Sequence, residues 1–233
     1  MTSVCLVFEV HQPHRLRRIN AFDTQDRYFD EPRNAEICRK VADKCYRPAT
    51  RLLLDLVRRH KGDFRIAFSI TGSAIEQFEE HCPDVLDLFR ELVKTGHCEL
   101  LAETYYHSLS FIYDRGEFAD QVEMHARAMD RVFGVAPRVF RNTELIYSNE
   151  LATFLAAQTD SEGRSRYAGV LAEGVDRFLA GRTPGQVFHP PGRPLARGGR
   201  PLGMLLKNYR LSDDIAFRFS DRAWEHYPLT AEK

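Results

Sequence analysis

Six short, nearly continuous apolar runs are spaced along this chain, and they narrow its possible folds more than any other feature. They are VCLVFEV at residues 4–10, FRIAFSI at 64–70, CELLAET at 98–104, RVFRN at 138–142, GVLAE at 169–173 and MLLKN at 204–208. Strict alternation would mark a sheet with one wet face, whereas near-unbroken apolarity marks strands covered on both faces, as in parallel sheets. Between the runs the period becomes helical. Asn34 can cap a helix running toward Tyr46, and Pro48 can open the next at a first-turn position, through Arg59. An amphipathic stretch at 83–95 stops at Gly96, and another at 117–133 is closed by Gly134 and Pro137. A shorter helix is expected at 148–157. The Gly-, Pro- and Arg-rich stretch 181–203 lacks phosphate-loop spacing and reads as a long surface connection.

This β–helix–β alternation predicts an α/β fold with a parallel sheet. Periodicity does not separate a barrel from an open sheet, but the polar residues do. They follow every strand: His11, then Thr71, then Glu103 to His107, then Glu144, then Glu173 and Asp176, and finally Asp213 with Asp214. A β/α barrel gathers its chemistry at the carboxyl ends of all its strands, whereas an open sheet concentrates it at one crevice. A barrel with about six strands present is expected. Lys plus Arg and Asp plus Glu both number 33, a balance that argues against a nucleic-acid partner. No apolar segment reaches the ~18 residues of a membrane span. Five cysteines without metal-ligand spacing point to reduced thiols and a cytoplasmic setting, with Cys5 and Cys98 as small core residues.

Several residues could carry chemistry, each with a structural alternative. Glu144 follows a strand in a polar turn; it could attack an anomeric carbon or pair with Arg141. His11, after a strand and before a proline, could hydrogen-bond a sugar hydroxyl, bind a metal or tie down backbone. Glu9 and Glu99 are charges inside apolar strands, costly to bury unless paired or facing a site. The cluster Glu103, Tyr105, Tyr106 and His107 suits sugar stacking or packing under a rim. Asp213 and Asp214 could supply an acid or cap a helix.

Taken together, HQP at 11–13, G-x-x-E at 96–99 and FRNTELIY at 140–147 resemble glycoside hydrolase family 57. The strings LAETYYHSLS, VLAEGVD and LLKNYRLSDDIAFRFS are similar to its α-amylase branch, and the resemblance runs from Val4 to the C-terminus. It implies a (β/α)7-type parallel barrel and retaining cleavage or transfer at α-1,4-glucosidic bonds of an α-glucan or maltooligosaccharide, without metal or organic cofactor. It also implies Glu144 as nucleophile and His11 and Glu99 in the subsite of the attacked sugar. Glu9, Tyr106, His107, Asp213 and Asp214 are further candidates for substrate contact. The family's acid/base aspartate lies in a later Asp-x-Glu-x-Phe-Gly block that does not occur here. Residues 1–233 are therefore expected to be the N-terminal part of a catalytic barrel, with the rest of the barrel and a helical domain absent. Two alternatives remain: an inactive carbohydrate-binding fragment, and a metal-dependent polysaccharide deacetylase using His11, His14 and His107 with an aspartate.

Overall fold

The computed structural model describes residues 3–20, 22–24, 27–192, 201–230 and 232. The chain divides into two compact units, Met1–Pro137 and Arg138–Lys233.

In the first unit, β1 (Val7–Val10), β2 (Ile66–Ile70) and β3 (Cys98–Leu101) form a parallel sheet in that order. Its helices are α1 (Glu31–Val41), α2 (Arg47–His60), α3 (Gly72–His81), α4 (Pro83–Lys94), α5 (Ser110–Tyr113) and α6 (Arg115–Phe133). The two-residue period of the strands sorts the sheet's faces. Val10, Ile66, Phe68, Ile70 and Leu100 share one face and join the helical core with Leu54, Val57, Phe78, Phe89 and Met129. Glu9, Ser69 and Leu101, paired in register, share the other face with Ala67 and Glu99.

Two local features differ from the sequence reading, each for a backbone reason. The expected break between the first two helices is instead a π turn at Ala42–Tyr46, continuous with both. Pro48 has no N–H to donate, and Arg47 N–H reaches back five residues to the Ala42 carbonyl, the signature of that turn. The cap of α1 is Asp30, which accepts from Arg33 N–H, and not Asn34. Asn34 is buried in the first turn and accepts from Arg15 N–H at 2.8 Å. Cys5 is exposed rather than a core residue, because β1 begins only at Val7. Cys98 is half-buried, and burial pushes its thiol up to about 12.

The second unit holds β4 (Val139–Arg141), β5 (Gly169–Glu173), β6 (Val187–Phe188) and β7 (Gly203–Lys207), in the order β4-β5-β7-β6. The first three neighbours are parallel; β6 is antiparallel to β7. The six expected strands are therefore all present, three in each sheet and parallel within it, and β6 is an addition inside the stretch read as a surface connection. Residues 193–200 of that stretch lie outside the described residues. The helices are α7 (Asn149–Ala157), α8 (Asp176–Leu179) and α9 (Tyr209–Asp213). Phe140 is fully buried against Tyr167, ring centroids 5.5 Å apart, with Leu151 and Leu155 of α7 also buried. Asn208 caps the start of α9 by accepting from Leu211 N–H, while Asp213 and Asp214 sit where α9 passes into a π turn at Asp214–Arg218, with Asp213 making no side-chain cap bond there.

Candidate active site

The carboxyl ends of the first sheet hold a connected group of polar side chains. The HQP turn leaves β1 with Gln12 pointing inward: its side-chain amide donates to the Tyr46 hydroxyl at 2.8 Å, and its backbone carbonyl accepts from the Gln77 side chain at 2.7 Å. With that residue fixed, His11 is presented beside β2, its Nδ1 3.1 Å from Thr71 Oγ1 and 3.5 Å from Ser73 Oγ. Thr71 Oγ1 also accepts from Ala74 N–H as the cap of α3. A Thr71 hydroxyl that donates to Nδ1 leaves the proton of a neutral His11 on Nε2, a donor suited to a sugar oxygen.

His107 stacks on His11 with ring centroids 4.4 Å apart. Its Nε2 lies 3.1 Å from Glu9 and its Nδ1 3.4 Å from Glu103. A ring that donates from both nitrogens would be the cationic form, one positive charge set between two carboxylates. Glu103 is wholly buried and also accepts from Ser69 Oγ at 2.7 Å. Glu9 is therefore the paired charge that its place in an apolar strand requires. His107 has a φ of 57°, left-handed backbone held by its N–H bond to the Thr104 carbonyl.

Three of the expected residues stand apart from this group. Glu99 shares the face of Glu9 but lies one same-face row nearer the strand starts, opposite Ala67; it is exposed as a residue, and partial desolvation raises its carboxyl above the ordinary value. Tyr106 is exposed and meets Tyr105 edge-on at 4.7 Å, while burial and its bond to Glu76 push the Tyr105 phenol up. His14 does not join His11 and His107 as a metal triad would require; it pairs with Glu76 at 3.3 Å. Among the described residues, the triplet that brings three potential ligand atoms within 4.8 Å of one another is Glu31, Glu80 and His81, elsewhere on this unit.

In the second unit, Glu144 follows β4 in the turn Thr143–Leu145. Both Glu144 and Leu145 are left-handed, with φ of 54° and 56°. The turn is closed by Leu145 N–H to the Asn142 carbonyl, Ile146 N–H to the Thr143 carbonyl, and the Asn142 amide to the Ile146 carbonyl. Arg141, Asn142 and Thr143 are buried and Glu144 is exposed, so a rigid base presents the carboxylate outward. Two successive non-glycine residues in this conformation are costly, and such strain gathers at functional sites. The charges after β5 and β7 satisfy one another: Glu173 pairs with Lys207 at 3.3 Å, and Asp176 accepts from Tyr209 and Arg210. Asp214 accepts from Arg218 at 2.6 Å. A cavity beside β6, lined by Arg182, Gln186, Phe188 and Pro191, contains none of the expected residues.

Comparison with known proteins identifies the relatives of this arrangement. The sequence model of glycosyl hydrolase family 57 matches residues 5–233. A Methanocaldococcus jannaschii protein described as a putative alpha-amylase is 43% identical over 230 residues, covering 97% of this chain but 46% of that protein. The chain thus spans about half the length of this curated relative. The 4-alpha-glucanotransferase of Thermococcus litoralis matches in structure with a TM-score of 0.65 at 19% identity, over 92% of this chain and 29% of that one. A branching enzyme of Pyrococcus horikoshii matches with a TM-score of 0.58 at 12% identity, over 89% and 47% of the two chains. These likenesses show a shared fold, the parallel α/β fold expected from the apolar runs and of the (β/α)7 type that the family resemblance implies. The chain belongs to glycosyl hydrolase family 57.

Proposed function

We propose that this chain carries the nucleophile and part of the sugar-binding subsite of a retaining α-glucan-active hydrolase or transferase. The observation that carries this reading is Glu144, a carboxylate on a rigid left-handed turn straight after β4. In the first step a Glu144 oxygen attacks the anomeric carbon, the glycosidic bond breaks, and a second carboxyl group protonates the departing oxygen. In the second step water or an acceptor hydroxyl attacks the same carbon. The ester bond to Glu144 breaks, and the second group takes up the proton. Retention requires the two carboxyl groups about 5–5.5 Å apart. That acid/base group is assigned to the family's Asp-x-Glu-x-Phe-Gly block, so residues 1–233 are read as the N-terminal part of the catalytic barrel.

His11 would hold a hydroxyl of the attacked sugar, with His107 stacked against it as the wall of the subsite and fixed in place by Glu9 and Glu103. Glu99, Tyr106, Asp213 and Asp214 are proposed as outer contacts to the glucan. The pairing of His14 with Glu76 does not favour the deacetylase alternative.

An activated donor tests this reading directly, because fluoride leaves without a proton. Fluoride release from α-maltosyl fluoride should fall on the order of 10⁴-fold in Glu144→Ala, since no neighbouring group replaces an attacking carboxylate. Added azide should restore release and yield a glycosyl azide of inverted configuration. Wild-type rates in this variant would remove Glu144 from the mechanism.

A further inference from the structure

A second cluster of side chains lies on the helical side of the first unit, outside the candidate active site. Glu31 is the first residue of α1, and Glu80 and His81 are the last two of α3. One ligand atom from each lies within 4.8 Å of the other two. Surface acidic groups often approach one another without consequence, but His81 makes this cluster different. Its side chain is only 6% exposed, and its Nε2 is shielded from water without a hydrogen-bond partner. An unsatisfied buried polar atom costs about 1–3 kcal/mol. The nearest carboxylate oxygen, Glu80 Oε2, is 3.9 Å away, too far to relieve it. A cation seated between them would relieve it, because the imidazole nitrogen would become a ligand.

We propose that Glu31, Glu80 and His81 bind a divalent transition-metal ion of the zinc type, clasping the start of α1 to the end of α3. An imidazole with two carboxylates suits zinc, whereas calcium and magnesium favour all-oxygen sets. Zinc bonds to nitrogen and carboxylate oxygen are about 2.0–2.2 Å. Ligands around a tetrahedral ion are therefore about 3.3–3.6 Å apart, so the three groups must draw inward by up to about an ångström. Both glutamates are exposed and have the freedom to move, and water completes the coordination. The carbonyl end of α3 attracts a cation and the amide end of α1 repels one, so the helix dipoles roughly offset. The ion would bridge residues about fifty positions apart in sequence, stabilising the folded chain in proportion to its occupancy.

The test uses the whole chain, stripped with chelator and titrated with zinc against a chromophoric competitor, with metal content and thermal unfolding read in parallel. One zinc per chain is expected, with a rise in Tm on loading. Glu31→Gln and Glu80→Gln should each weaken binding at least tenfold and remove that rise, while their metal-free Tm stays near wild type. His81→Gln is a supporting variant; because its position is buried, the decision rests on the exposed glutamates. Less than a tenth of an equivalent of zinc, equal binding by wild type and the Glu31→Gln/Glu80→Gln double variant, or calcium binding without zinc would overturn the proposal. None of these results bears on Glu144, whose fluoride-release assay reports separately.

Discussion

Glu99 shows how one residue's surroundings become a measurable pH dependence. Glu99 is exposed as a residue, and partial desolvation of its carboxyl beside β2 raises it above the ordinary value, because desolvation disfavours the charged form. A raised folded-state value means that this group's contribution is fully present below the unfolded value. It is lost as pH rises through the folded value. Glu99→Gln should therefore match wild-type Tm near pH 4 and exceed it increasingly toward pH 7. A difference in Tm that stays flat with pH would show that the carboxyl is not desolvated. Charges such as Glu9 and Glu99 were legible in the sequence because they interrupt apolar strands, and His11 and His107 because they follow them. Ser69 and Ser73 were not, since a serine in an apolar strand or helix start carries no signal until a partner such as Glu103 or His11 lies beside it. The neighbour of His14 was not legible either, because its ring pairs with Glu76, 62 residues away.

At the scale of elements, α3 was the helix that the sequence reading passed over, and its packing explains why it matters. Thr71 caps it, and its Gly72 and Ser73 N–H groups donate to the Tyr105 carbonyl, so the end of β2 and the loop after β3 are tied together. The Tyr105 ring lies over Gly72 so closely that an added Cβ would fall 2.4 Å from it. Gly72→Ala should therefore cost about 1–3 kcal/mol, as overpacking does. Most of that cost should vanish when the alanine is introduced into Tyr105→Ala, because neighbouring sites couple. Denaturant midpoints of the four-member cycle check this; additive losses would mean that the ring moves aside freely. The segment TGSAIEQFEEH is short and mixed in polarity, so tertiary contact rather than periodicity makes it a helix. β6 is a similar case: two residues in a Pro-rich stretch become a strand only through pairing with β7. The longer elements α4 and α6 were legible to within a few residues because their apolar stripes and terminal glycines agree.

Over the whole molecule, the reading separates chemistry from stability. Catalysis is assigned to carboxylates and histidines, and the proposed metal site belongs to helices α1 and α3. A chelator should lower the Tm of zinc-loaded protein yet leave fluoride release from an activated maltosyl donor within about twofold. Loss of activity restored by zinc would instead place a metal in the chemistry. The nucleophilic role proposed for Glu144 is open to direct trapping of its glycosyl ester. A 5-fluoro-α-glucosyl fluoride has a leaving group that needs no proton, so the first step can proceed without an acid. The ring fluorine destabilises the oxocarbenium-like transition states, and slow hydrolysis lets the ester accumulate. Mass mapping of the digested protein should find the fluoroglucosyl mass on Glu144, at about one per chain, and none in Glu144→Gln. A label on any other carboxylate, or a folded chain that the reagent leaves unmodified, would contradict the assignment.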